Sequence, residues 1–557
     1  MILTTLKTPA TLLGYLLLLA VAFNCNAESS QPAGNTESAG IQSLVGEGVH
    51  PGLRWGKFPD YQAPLKQLYE ANGYQPLWTQ NGKGTAQAKA MIASLATAHT
   101  RGLNNEDYDA VALAKWLNEL ELDKDPAAAP QKSASFDVAL SLMSMRYASN
   151  VYVGRINPRH VNFGLDIEPK KLDLPAMIKQ LAASDNPDEI IAGLEPKLHL
   201  YKLLKNALRS FDGRSLPTTS PAINLPAKFS PGDRHPDVLK LRQVLLEEKD
   251  NNHSDVYDDQ LAERVKDFQR HNGLAADGVI GKGTQAQLNI SPAGKLKQIQ
   301  LSMERLRWLP DRLDGRYIIV NIPSFELFGF DANDAKPALT MNVIVGEAID
   351  GRNTPVFHSD MTYMNFRPYW NVPYKIAAKE YLPKLLNNPG YLERNNMELV
   401  SNLAPGSAVY QPSVDNIEML ASGEVKLRQK PGPKNALGLV KFAFPNNNNV
   451  YLHSTPTPSL FKKSRRDFSH GCIRVERPSD LAEYVLKEQS EWTREKIDEA
   501  MNGDKTRTVT LKTPIPVYIF YATALAEENG EVRYFQDIYG HDQILQDLLA
   551  RGYPYPP

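Results

Sequence analysis

A cysteine, Cys472, lies in the run Phe468-Ser469-His470-Gly471-Cys472-Ile473-Arg474, and His453 stands nineteen positions upstream. These residue types suit acyl transfer by a thiol. A free thiol has a pKa of about 8.5, so a base must take its proton. Backbone N–H groups must meet the oxyanion that forms on the attacked carbonyl. A third group must orient the base. His453 is the candidate base, and Gly471 is where backbone donors can come close. His470 is a secondary candidate. Arg474 carries a fixed planar cation suited to a carboxylate.

Each of these residues has a second reading. Cys472 could be a buried, inert thiol and His453 a satisfied core histidine. His453, His470 and Cys472 could ligate zinc, but no CxxC or HExxH spacing supports that. The acyl-transfer reading needs neither metal nor cofactor. His470 could only shape the cleft, and Arg474 could serve a structural ion pair. Tyr369 and Trp370 are candidate substrate-stacking residues, although such aromatics are more often core. Lys462, Lys463, Arg465 and Arg466 read either as a solvated loop or as an attraction for carboxylate-rich peptides.

Such residues need elements to hold them. The 557-residue chain is too long for one core and predicts three or four units. With 62 basic and 63 acidic side chains it has no global field for nucleic acid. Lys7 and the apolar run from Leu12 to Phe23 read as a signal peptide over 1–27, ending at Cys25-Asn26-Ala27. An uncleaved anchor or a lipidated Cys25 are the alternatives. Cleavage would leave Cys472 as the one thiol of an exported protein, unable to form an internal disulfide.

Residues 28–45, rich in Ser, Gly and Asn, read as a linker. From 46 to 230 the periodicity predicts a helical scaffold domain, closed by a Pro-rich segment over 216–231. Residues 231–290 predict three short helices with a turn at Asp277-Gly278-Val279-Ile280-Gly281. Short strands then recur from 295 to 525, interrupted by an anomalous insertion at about 379–438. Residues 526–557 are left as a C-terminal segment. The expected fold class is multidomain α+β.

The stretch 231–290 resembles the three-helix peptidoglycan-binding domain through Phe268-Gln269, Asp277-Gly278-x-Ile280-Gly281 and Thr284. Ser469-His470-Gly471-Cys472-Ile473-Arg474 with His453-Ser454 resembles the signature of the YkuD-type L,D-transpeptidases, with Arg474 where the signature often has Asn. The order of the units resembles the large YcbB-type group of Gram-negative bacteria. These resemblances imply a periplasmic wall enzyme serving cell-wall organisation and cell shape. Cys472 would be the nucleophile and His453 the base, oriented by Ser454 or a nearby backbone carbonyl. The donor and acceptor would be peptidoglycan stem peptides, with the insertion as a lid and 231–290 holding glycan strands. Other wall-synthesis enzymes are candidate partners. Water or a protein lysine as acceptor, and an idle wall-binding scaffold, remain the alternatives.

Overall fold

The structure, a computed structural model, describes residues 33–557 apart from 123–124, 126, 162, 164, 166–169, 212–221, 247–252, 333–335, 350, 405 and 554–557. The expected signal peptide with Cys25, residues 28–32 and part of the Pro-rich segment lie outside the described residues. No helix among the described residues is long and apolar enough to cross a membrane.

The N-terminal unit contains α1 (Ala33–Glu47), α2 (Gln62–Glu70), a small hairpin of β1 (Thr79–Gln80) and β2 (Lys83–Gly84), α3 (Ala86–Ala96), α4 (Ala110–Leu122), α5 (Ala129–Tyr152), α6 (Leu174–Ala182), α7 (Pro187–Gly193) and α8 (His199–Leu208). Helix α5 is buried on nearly all sides, so it forms the axis of the unit. Its buried Asp137 accepts from the Leu77 and Trp78 N–H groups and from the Tyr69 hydroxyl at 2.7 Å. One expectation is corrected here. Most of the linker at 28–45 is helix α1, because Ile41, Leu44 and Val45 fall on one face and are buried in the scaffold core. Three apolar residues among glycines and serines are a faint signal until a partner surface is known.

The next unit has α9 (Val238–Leu245), α10 (Asp259–His271) and α11 (Lys282–Leu288) around a core of its own. Asp258 caps α10 by accepting from the Leu261 N–H at 2.9 Å. Gln269 donates to the Val279 carbonyl and accepts from the Gly278 N–H, both at 2.9 Å, which fixes the glycine turn. Gly278 has φ 72°, a region that favours glycine.

Helix α12 (Pro292–Arg307) leads into the third unit. Its strands are β3 (Tyr317–Asn321), β4 (Glu326–Phe330), β5 (Leu339–Gly346) and β6 (Phe357–Phe366). An inserted subdomain follows, with β7 (Trp370–Asn371), α13 (Tyr374–Ile376), a π-turn (Ala377–Tyr381), α14 (Leu382–Asn387), α15 (Tyr391–Arg394), β8 (Met397–Val400), β9 (Val409–Tyr410), α16 (Val414–Ser422) and β10 (Lys426–Gln429). The chain returns through β11 (Val440–Ala443), β12 (Leu452–His453), β13 (Asp467–Ser469), β14 (Ile473–Val475), α17 (Pro478–Leu486), α18 (Arg494–Asn502) and β15 (Arg507–Phe520). It ends with β16 (Ala524–Ala526), β17 (Val532–Tyr534) and α19 (His541–Ala550).

The strand order β5-β14-β12-β11-β6-β15-β3-β4 closes on itself because β4 also pairs with β5, and β13 runs parallel to β5 outside the ring. Closure removes free sheet edges. Strand β15 is a single strand of 14 residues with a register shift between Thr510 and Ile515. The C-terminal segment 526–557 is no appendage. Tyr534, Phe535 and Leu545 belong to the same core cluster as the ring.

The insertion starts earlier than 379 and is not a loop. It has a four-stranded sheet, β7-β10-β8-β9, and its own core including Val372, Leu385, Leu399, Leu420 and Leu427. Its two stalks are tied where Asn435 Nδ2 donates to the Pro368 carbonyl at 3.1 Å. Gly438 in the returning stalk has φ 61°, and a Cβ there would lie 2.6 Å from the Thr455 nitrogen.

Candidate active site

Strands β12 and β14 run side by side in parallel, with Leu452 opposite Ile473 and His453 opposite Arg474. The ladder therefore brings His453 beside the Cys472 turn, although nineteen positions separate them. Strand β11 flanks β12 on the other side, with Lys441 opposite His453.

The turn before β14 is held from several sides. Ser469 Oγ donates to the Cys472 carbonyl at 2.5 Å and accepts from the Gly471 N–H at 3.1 Å. Thr354 Oγ1 donates to the Gly471 carbonyl at 2.8 Å. The Tyr539 hydroxyl, from the C-terminal segment, accepts from the Thr354 N–H at 3.2 Å. Gly471 has φ 112°, which strains any residue with a side chain. Its own N–H is engaged by Ser469 Oγ.

Cys472 is half-buried, and its thiol points to the Asn449 carbonyl at 3.7 Å. Burial pushes its pKa up. Tyr451, through its backbone and its hydroxyl, and the Lys441 and Arg474 cations pull the other way without cancelling it. Lys441 Nζ sits 4.0 Å from the centre of the Tyr451 ring, and burial lowers the pKa of that ammonium.

His453 is buried, and its Nδ1 lies 2.5 Å from the Ser454 carbonyl. A carbonyl has no proton to give, so Nδ1 carries the hydrogen and Nε2 is left as the acceptor. Ser454 thus orients the ring through its backbone and not its hydroxyl. Burial, followed by the Arg474 charge, lowers the His453 pKa to about 3. With the thiol raised and the imidazole lowered, the site at rest is a neutral pair.

The remaining candidates lie on two sides of the thiol. Arg474 makes no ion pair among the described residues, and Glu347 and Cys472 are the charges that act on it. His470 Nε2 lies 2.6 Å from Glu380 of the inserted subdomain, and Glu380 also pairs with Arg352 at 3.0 Å. Trp370 packs in that subdomain's cluster and lies on the side of Tyr451. Tyr369 is 42 % exposed with the Arg428 guanidinium 4.5 Å from its ring, away from these contacts. Among the described residues no three His, Cys, Asp or Glu side chains converge as a metal site.

Sequence reasoning missed Tyr451, Lys441, Thr354 and Glu380. Tyr451 carried a signal, since a residue two before His453 shares its face of a strand. The others depend on strand register and on the insertion's path.

Residues 315–519 match the family of the YkuD L,D-transpeptidase catalytic domain. The chain carries a YkuD catalytic domain. Residues 63–208 match a scaffold domain, and 234–288 a putative peptidoglycan-binding domain. This order around the YkuD domain is consistent with the YcbB-like architecture. A putative L,D-transpeptidase of Haemophilus influenzae is 34% identical over 249 residues, 45% of this chain and 49% of that protein. The chain thus spans about half the length of that curated relative. Crystal structures of L,D-transpeptidases from Xylanimonas cellulosilytica and Stackebrandtia nassauensis are 16% and 14% identical. Each covers 53% of this chain and 99% or 97% of its own, with TM-scores of 0.17 and 0.22, too low to bear on the fold.

Proposed function

We propose that the protein is a periplasmic peptidoglycan L,D-transpeptidase that forms 3–3 cross-links through a Cys472 thioester. The observation that supports this best is the β12–β14 ladder, in which His453 stands opposite Arg474, two positions past Cys472, while the Ser454 carbonyl holds Nδ1 and leaves Nε2 as the acceptor nitrogen. The sulfur attacks the donor stem's carbonyl carbon as His453 Nε2 takes the thiol proton. In this reading the Tyr451 N–H meets the developing negative charge. The tetrahedral intermediate expels the terminal D-residue, whose amine receives the proton from His453. An acceptor amine then attacks the thioester, His453 takes its proton, and the thiol is regenerated. Arg474, free of carboxylate partners, is suited to anchor a stem carboxylate. The inserted subdomain, held through Glu380 and Trp370, acts as the lid over this exchange.

The test is incubation of the purified protein with tetrapeptide muropeptides, followed by mass spectrometry. The expected products are cross-linked dimer and a transient mass on Cys472, both lost in Cys472→Ala. Dimer formed equally well by that variant would overturn the thioester. Tripeptide monomer as the sole product would reassign the acceptor to water.

A further inference from the structure

The family match for the catalytic domain ends at residue 519, but the turn carrying Cys472 is braced from beyond that point. The Tyr539 hydroxyl donates to the Gly346 carbonyl at 2.6 Å and accepts from the Thr354 N–H at 3.2 Å. The Thr354 hydroxyl accepts from the Gly346 N–H and donates to the Gly471 carbonyl, both at 2.8 Å. Each hydroxyl thus gives its proton to a carbonyl and receives one N–H. Thr354 is fully buried, so no solvent competes for its bonds. Gly346 allows the close approach, since a Cβ there would lie 2.7 Å from the Thr354 nitrogen.

Tyr539 is itself held in place. Its N–H donates to the Tyr521 hydroxyl at 3.1 Å, and that hydroxyl donates to Asp537 Oδ1 at 2.5 Å. Asp537 also accepts from the Asp542 N–H at 2.9 Å, in the first turn of α19. The Asp542 carboxylate pairs with the buried Arg305 of α12. Burial pushes the Tyr539 pKa up to about 12, so its hydroxyl keeps its proton at neutral pH. The contacts therefore run from α12 through the C-terminal segment to the peptide bond before Cys472.

We propose that Tyr539 is a positioning residue for the acyl transfer, acting through Thr354 on the Gly471–Cys472 peptide. A planar trans peptide moves as one body. Once Thr354 holds its carbonyl, the plane is set, and with it the direction of the Cys472 N–H and the place of the Cys472 Cα. Gly471, at φ 112°, needs such a hold because glycine backbone has wide freedom of its own. Acylation depends on this, since sulfur, substrate carbonyl and hydrogen-bond donors must meet in one geometry. Alkylation by a small mobile reagent makes no such demand. The inference rests on the thioester reading above.

The experiment is single-turnover acylation of the full chain by a soluble tetrapeptide, read by mass spectrometry, beside iodoacetamide labelling of Cys472. Tyr539→Phe keeps the ring and removes only the hydroxyl. Its acylation rate at saturating peptide should fall by about tenfold, with the half-saturating concentration and the pH profile of labelling unchanged. Thr354→Val should fall at least as far, and Thr354→Ser, which keeps the hydroxyl, should stay close to the wild-type rate. Adding Tyr539→Phe to Thr354→Val should cost little more, because both break one path. Wild-type acylation in Tyr539→Phe would overturn the proposal. So would additive losses in the double variant, or Thr354→Ser as slow as Thr354→Val. A parallel fall of acylation and labelling would also overturn it, by marking a general loosening of the fold. A wild-type chain that forms no thioester would overturn the transpeptidase reading itself, and this inference with it.

Discussion

A half-buried thiol and a buried imidazole have opposed shifts, at Cys472 and His453. A thiolate–imidazolium pair would react with alkylating agents on a plateau starting at acidic pH. Here the folded thiol lies above its ordinary value and His453 at about 3, so the neutral pair persists across the range between. Labelling of Cys472 by iodoacetamide, followed by mass spectrometry, should be slow and flat from about pH 5 to 8 and rise as pH climbs through the raised thiol pKa. Lys441 and Arg474 both lower that pKa, so Lys441→Met should displace the rise to still higher pH. A rise already complete by pH 6 would refute the neutral pair. The nucleophile motif was legible because its residues are contiguous. Tyr451 and Lys441 were not, because their roles depend on which strands become neighbours.

Among the elements, the inserted subdomain was least legible. The sequence between 379 and 438 showed length, helical runs and turns, which fit a long loop as well as a packed body. What separates the two is a core, and that core draws on Trp370, Val372 and Ala377, outside the predicted bounds. The strands of the ring were easier to read, since β-branched and aromatic residues bounded by Gly and Pro mark them locally. Strand β12 is only two residues long. A separate core predicts separate stability. Leu399 is fully buried in the insertion, so Leu399→Ala should cost about 2–5 kcal/mol. Hydrogen exchange should quicken across 370–437 while β6, β11 and β15 keep their protection. Uniform loss of protection in the ring would show that the insertion is not an independent unit.

At the scale of the molecule, α12 joins the scaffold to the ring. Its Glu304 and Arg307 are fully buried and paired at 3.2 Å, and Glu304 also accepts from the Arg155 guanidinium and the Ile156 N–H. Arg307 in turn donates to the Tyr201 hydroxyl in α8 at 3.1 Å. Glu304→Ala would remove the buried carboxylate that faces two guanidinium groups and should cost about 3–5 kcal/mol in urea unfolding. A loss below 1 kcal/mol would mean that the joint is held by its apolar contacts. The unit order was readable from changes in periodicity, but this joint was not, because a sequence does not reveal which charges are buried together. The tied stalks of the insertion have a mechanical consequence. The body has its own core and is held at its two stalks, which Asn435 ties together, and at Glu380, which meets His470 and Arg352. Gly438 in the returning stalk bears on Ser454 and Thr455, directly after the candidate base. Any displacement of that stalk would press on the segment whose carbonyl holds His453 Nδ1, so a body outside the ring has a direct mechanical path to the imidazole.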